Sequence, residues 1–127
     1  MVEASLPPVP MKSIAIVDDD EDVAAALGSL VDSMNARPEI FHSADDYLAS
    51  LRWRAVDMVI SDVQMPGTSG LELARILQGT GVPLILITAF PSLELERQAM
   101  AHGVRRFMRK PFDPAALIAC IEAILDG

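Results

Sequence analysis

The sequence predicts an α/β domain: a doubly wound parallel sheet with helices on both faces. Two observations predict it. Five short apolar runs alternate with segments of helical spacing along the chain, the signature of parallel strands joined by crossover helices. Two of those runs, 56–62 with Met58, Val59 and Ile60, and 84–88 with four successive aliphatics, show no polar alternation, as expected of central strands covered on two faces.

The first strand is expected over residues 14–18, and a helix over 22–35 carries Val23, Ala26, Leu27, Leu30, Val31 and Met34 at spacings of three and four. Pro38 follows as a stop, and the second strand, 39–42, is short and less apolar, as suits a sheet edge. Ser43 stands where an N-cap is wanted, with Asp45 and Asp46 in the first turn and Tyr47, Leu48 and Leu51 as the inner face of the helix. The third strand ends at Asp62, a helix follows over 69–77, and the fourth strand is 84–88. The next helix, 92–102, stops at Gly103, a good residue just past a helix end, before a fifth strand over 104–108. Asp113 and Pro114, a cap followed by proline at the first helical position, open the last helix, which carries Leu117, Ile118, Ile121, Ile124 and Leu125.

With 127 residues there is room for about one domain. Residues 1–11, with Pro7, Pro8 and Pro10, read as a flexible arm, and 12–127 as the folded unit. The arm lacks the basic start and apolar core of a signal peptide, and the uncharged stretch 76–93 is broken by Gly79, Gly81, Pro83 and Pro91 into pieces too short to span a bilayer. The single Cys120 cannot form an internal bridge, and among Ile118, Ala119 and Ile121 it is expected to be buried and unreactive. A net charge of −8 argues against gripping nucleic acid or an anionic membrane. Five of the acids stand together at Asp18, Asp19, Asp20, Glu21 and Asp22, directly after the first apolar run.

In an open parallel sheet, ligands bind beyond the carboxyl ends of the strands. Here the first strand exits into Asp18 and Asp19, the third into Asp62, the fourth into Thr88, and the fifth runs on to Lys110 and Pro111. Any one of these serves equally well as a cap or turn residue; four converging by topology are harder to dismiss. If the first and third strands are neighbours, Asp18, Asp19 and Asp62 share one pocket. Like charges 4 Å apart repel by roughly 4 kcal/mol at a partly exposed site, so three carboxylates need a cation. Oxygen-only ligation favours Mg²⁺ over zinc, and His42 and His102 show no metal-ligand spacing. Glu21 and Asp22 read as a solvated helix N-terminus. A carboxylate beside Mg²⁺ with a hydroxyl and an ammonium nearby is what acceptance of a phosphoryl group requires: Asp62 attacking in line, Mg²⁺ and Lys110 neutralising phosphoryl oxygens, Thr88 bonding one of them. Ala89 is small enough to leave a backbone N–H accessible to the incoming group.

The segments Ile16-Val17-Asp18-Asp19-Asp20, Val59 through Gly67 with Ser69-Gly70, Ile87-Thr88-Ala89, and Phe107 through Phe112, in that order at four strand ends, resemble the receiver domain of two-component response regulators over about residues 12–127. The resemblance implies a flavodoxin-like (βα)5 fold with strand order 2-1-3-4-5. It further implies that Asp62 accepts the phosphoryl group, that Asp18, Asp19, Asp62 and the backbone carbonyl of Gln64 hold Mg²⁺, that Thr88 and Lys110 contact the phosphoryl group, and that Phe107 is the switch aromatic paired with Thr88. The donor would be a sensor histidine kinase in the cytoplasm. The response would alter the face made by the fourth helix, fifth strand and fifth helix, where Arg105, Arg106 and Arg109 lie, and that face would serve a partner, a homodimer or an output domain, with a role in transcription. The segment 107–113 and the last helix are most similar to receivers whose output is a helix-turn-helix DNA-binding domain, so this domain itself would not bind nucleic acid.

Gln64 and Phe90 border the place from which water attacks the acyl phosphate in this family. Phe90 cannot orient a water, which predicts slow self-dephosphorylation, unless its ring points into the core or toward a partner. Two alternatives stand beside the switch. An aspartyl-phosphate phosphatase usually has an acid two residues past its nucleophile, where this chain has Gln64, and a binding module that is never phosphorylated does not need the set Asp18, Asp19, Asp62, Thr88 and Lys110. The expectation is therefore a switch rather than a turnover enzyme.

Overall fold

A computed structural model describes residues 11–127, so the arm expected over 1–11 lies, except for Met11, outside the described residues. Five strands, β1 (Ser13–Val17), β2 (Arg37–Phe41), β3 (Met58–Asp62), β4 (Leu84–Thr88) and β5 (Arg106–Arg109), alternate with five helices, α1 (Glu21–Ser33), α2 (Ala44–Ala49), α3 (Gly70–Leu77), α4 (Leu93–Ala101) and α5 (Pro114–Asp126). The strands form one parallel sheet in the order β2-β1-β3-β4-β5, as expected.

The sheet divides the core in two because successive side chains of a strand point to opposite faces. Ile14, Ile16, Met58, Ile60, Ile85 and Ile87 pack with Ala24, Leu27 and Val31 of α1 and Leu117 and Ile121 of α5. Ala15, Val17, Val59, Leu84 and Leu86 pack with Tyr47 of α2, Leu73, Ala74 and Leu77 of α3, and Ala99 of α4. β1, β3 and β4 are buried along their whole length, whereas β5 is exposed at both ends and half-buried between them. Each large aliphatic so enclosed contributes about 1.5–3 kcal/mol of burial.

All five helices begin just past the carboxyl end of a strand, and a side-chain oxygen caps each one: Asp20, Ser43, Ser69, Ser92 and Asp113 accept from amides of the first turn. Ser69 and Glu72 complete a reciprocal capping box on α3. The chain edge that carries the strand exits is thereby also the edge where helix N-termini gather.

Several local expectations are corrected. The apolar pattern puts Leu51 on the inner face of α2, but the helix ends at Ala49, Ser50 turns to extended geometry, and Leu51 is fully exposed. On α1 it is Ala24, not Ala26, that joins Leu27, Gly28 and Val31 in the buried stripe. Pro38 does not stop the chain before β2; it lies inside that edge strand, opposite Ile14, where its missing N–H costs least. β3 starts at Met58 and β5 at Arg106, two residues later than expected in each case. Cys120 is half-buried rather than enclosed, on the flank of α5 beside Arg105, Arg106 and Ala116.

The close approach of α3 to the end of β3 depends on Gly70. A Cβ there would lie 2.2 Å from the carbonyl oxygen of Asp62 and 2.9 Å from Cα of Val63. Both obstacles are backbone, so neither can rotate away. Gly70→Ala should therefore destabilise the fold by about 1–3 kcal/mol, the usual range for overpacking; an unchanged urea midpoint would show that the loop has slack this geometry denies it.

Candidate functional site

Pairing brings the acidic residues together. Val17 lies opposite Ser61 in the β1/β3 register, so the next residue on each strand, Asp18 and Asp62, emerge side by side. Asp18 is held by its amide, which donates to the carbonyl of Phe41 at 3.0 Å. Across β4, the amide of Lys110 donates to the carbonyl of Thr88 at 2.8 Å, fixing the chain as it leaves β5. The peptide bond that follows, between Lys110 and Pro111, is cis.

Asp18 is 1% exposed and Asp62 7% exposed, so two carboxylates are buried at adjacent strand ends. Lys110 Nζ sits between them, 2.9 Å from Asp18 Oδ2 and 3.5 Å from Asp62 Oδ1. Burial raises the Asp62 carboxyl above the ordinary carboxylate range; Lys110 pulls it down, Asp18 pushes it up, the amide of Val63 lowers it, and the balance stays raised. For Lys110, burial alone would lower the ammonium, but bonding to Asp18 and the charges of Asp18 and Asp62 outweigh it and leave the group raised. Ser61, also buried, turns its hydroxyl back onto the carbonyl of Asp62.

Asp19 is exposed at the rim, and carboxylate oxygens of Asp18, Asp19 and Asp62 lie within 4.8 Å of one another. Asp18 Oδ2 is buried, with the ammonium of Lys110 as its charged partner. Three hard oxygen donors gathered at one edge, one of them open to water, fit a hard divalent cation that keeps part of its hydration shell. The rest of the acidic run has structural roles: Asp20 caps α1 through the amides of Asp22 and Val23, and Glu21 and Asp22 are exposed in its first turn. His42 is exposed and His102 caps the end of α4; neither joins the acidic cluster.

Thr88 is fully buried at the end of β4. Its hydroxyl donates to Gln64 Oε1 at 2.7 Å and accepts from the amide of Phe90 at 3.0 Å. The Phe90 ring is 74% exposed, which excludes the core as its destination. Phe107 is half-buried against the cluster that includes Leu86 and Ala99, on the α2, α3 and α4 side of the sheet. The loop after Asp62 is tethered from outside: Asp45 of α2 accepts from the hydroxyl of Thr68 at 2.6 Å and from its amide at 3.4 Å. Those bonds hold the Asp45 carboxyl below its ordinary range. Gly67, at φ +76°, leaves room for this contact, since a Cβ would lie 2.4 Å from Asp45 Oδ2.

The sequence pattern of the response regulator receiver domain matches residues 14–122. This chain belongs to that family. The receiver is 37% identical over 114 residues to the response regulator protein TodT of Pseudomonas putida, across 88% of this chain and 50% of the relative. It is 32% identical, over 88% of its own length and 56% of the relative's, to the transcriptional regulatory protein FixJ of Bradyrhizobium diazoefficiens. It superposes with a TM-score of 0.79, at 37% identity, on the structure of a response regulator receiver protein from Burkholderia phymatum, covering 91% of this chain and 95% of that one. The chain spans about half the length of these curated relatives.

Within this receiver, Asp18, Asp19, Asp62 and Lys110, which stand at strand exits, do come together, and Thr88 is diagonal to Phe107 on the neighbouring strand, with Leu86 opposite Phe107 and Thr88 opposite Arg109. Two contacts escape sequence reasoning. The Gln64 side chain bonds Thr88, and Asp45 tethers Thr68, each over more than twenty residues of sequence. For Asp45 the local signal, an acid in the first turn of a capped helix, points to the helix dipole and away from the loop it actually holds.

The raised Asp62 carboxyl sets a direction for stability. Its folded value lies above its unfolded one, so its favourable contribution is present below the ordinary carboxylate range and is lost as pH rises through the raised value. At neutral pH without divalent cations, the Asp62 carboxyl therefore opposes folding, and Asp62→Asn should melt higher than the parent protein in EDTA. That advantage should shrink as the pH is lowered toward the carboxylate range; thermal melts of the two proteins across pH check both the sign and the trend.

Proposed function

We propose that this receiver domain is a Mg²⁺-dependent phosphoacceptor switch whose acceptor is Asp62. The observation that carries the reading is the half-buried Lys110 ammonium wedged between the buried Asp18 and Asp62, with Asp19 completing a carboxylate cluster at the open edge of the sheet. Asp18, Asp19, Asp62 and the backbone carbonyl of Gln64 would hold the cation. Bound Mg²⁺ would supply neutralisation of the carboxylates and of the phosphoryl oxygens. An Asp62 oxygen attacks the phosphorus of a phosphohistidine, the P–N bond breaks, and the kinase imidazole leaves while Asp62 becomes an acyl phosphate. Lys110, already charged and held in place, stays within reach of the transferred oxygens, and Thr88 donates its hydroxyl to one of them.

Phosphorylation then shifts a population between two arrangements of the fold. Thr88 moves toward the phosphoryl group, Phe107 takes the space it leaves, and the α4-β5-α5 face with Arg105, Arg106 and Arg109 changes shape. That face serves a partner, a second copy or an output domain in a cytoplasmic pathway that ends in transcription, while a chain of net charge −8 is not itself the DNA-binding element. No acid stands two residues past Asp62, where Gln64 bonds Thr88 instead, which disfavours a phosphatase.

Incubation with a small phosphodonor and Mg²⁺ should add one acid-stable, base-labile phosphoryl group, absent from Asp62→Ala and from samples held in EDTA. Label retained in Asp62→Ala would move the acceptor elsewhere. Mg²⁺ alone should raise the melting temperature, adding about 2.7 kcal/mol at a hundredfold excess over its dissociation constant. Because the exposed Phe90 cannot position a water, the acyl phosphate should also decay slowly; a lifetime of seconds in purified protein would contradict that assignment.

A further inference from the structure

We infer that the Gln64 carboxamide is a latch that holds the Thr88 hydroxyl away from the acceptor pocket, so that Gln64 sets how readily the receiver passes to its phosphorylated arrangement. The inference rests on the phosphoacceptor reading and adds a positioning residue to it. A threonine hydroxyl carries a single proton. The amide of Phe90, 3.0 Å from Thr88 Oγ1, can only donate, and Gln64 Oε1, 2.7 Å away, can only accept. The one proton of Thr88 is therefore given to Gln64. A phosphoryl oxygen is also only an acceptor, so a bond from Thr88 to the phosphoryl group and the bond to Gln64 are mutually exclusive.

The competition has a definite outcome. A bond from a hydroxyl to a neutral carboxamide is roughly half as strong as one to an anionic oxygen, so the phosphoryl group wins when present and the latch wins when it is absent. Release is cheap on the Gln64 side, because Gln64 is an exposed residue whose carboxamide returns to water. It is consequential on the Thr88 side, because Thr88 is fully buried and flanks Phe107 through the β4/β5 register. Gln64 thus makes the resting arrangement a distinct state with its own hydrogen bond, where a side chain without an acceptor would leave Thr88 free to drift.

Beryllofluoride with Mg²⁺, titrated by calorimetry, reads the balance directly. Gln64→Met keeps side-chain length and removes the carbonyl acceptor, and Gln64→Ala removes it with the chain; both should tighten beryllofluoride binding roughly three- to tenfold, the worth of one neutral hydrogen bond. In a Thr88→Val background, which has no hydroxyl to latch, the same two substitutions should change affinity by less than about twofold. Equal effects of the Gln64 substitutions with and without the Thr88 hydroxyl would overturn the latch while leaving Asp62 as acceptor. Failure of the unsubstituted protein to bind beryllofluoride at all would overturn the acceptor reading and the latch with it.

Discussion

The arrangement of this domain depends on one electrostatic problem: two carboxylates, Asp18 and Asp62, buried at the ends of adjacent strands with one ammonium between them. A like pair about 4 Å apart costs roughly 4 kcal/mol even at the effective dielectric of a partly exposed site. Lys110 offsets one charge, and with Asp19 at the rim two of the three carboxylates remain uncompensated, which is the charge of one divalent cation. Holding the set together requires β1 beside β3, β5 delivering Lys110 from the far side of β4, and α3 packed against the end of β3 through the bare Cα of Gly70. The apolar burial of β1, β3 and β4 supplies the rigidity that holds these carboxylates together against their repulsion.

The two faces of the sheet give the site two kinds of neighbour. In strand parity, Asp18, Asp62 and Lys110 continue the rows of Ile16, Ile60 and Met108, which pack toward α1 and α5. Thr88 continues the row of Leu84 and Leu86, which packs toward α2, α3 and α4 with Phe107. Charge is handled on one side and hydroxyl placement on the other, and the loop after Asp62, where Gln64 reaches Thr88, joins them. Asp45 tethers that loop to α2 through Thr68, so the short link between the two sides is braced rather than free.

Much of this was legible in the sequence because it follows from local rules. Four aliphatics at 84–87 can only be a strand covered on both faces, Ser43, Ser69, Ser92 and Asp113 announce helix starts, and polar residues at four strand exits must face one edge of a parallel sheet. What stayed hidden depends on tertiary contacts or on an ambiguous residue. Asp20 sits in the same acidic run as Asp18, yet its neighbours' amides make it a cap. Leu51 carries the apolar character of a helix face, but Ser50 ends the helix one residue earlier. The sequence points to Gln64 only as a backbone ligand and a border of the water path; its side-chain bond to Thr88 joins residues 24 apart at the ends of two strands, a distance over which periodicity carries no information.

Where a change that begins at Thr88 can travel is decided by packing. β1 and β3 are buried on both faces, and displacing them would open voids that close-packed interiors tolerate poorly. β5 has one paired neighbour, exposed Arg106 and Arg109 at its ends, and only half-buried Phe107 and Met108 between them. Elements with few buried contacts and an open flank move at the lowest free-energy cost. Thr88 lies opposite Arg109 of this open-flanked strand, so under the proposed switch a shift of its hydroxyl would meet least resistance outward, toward β5.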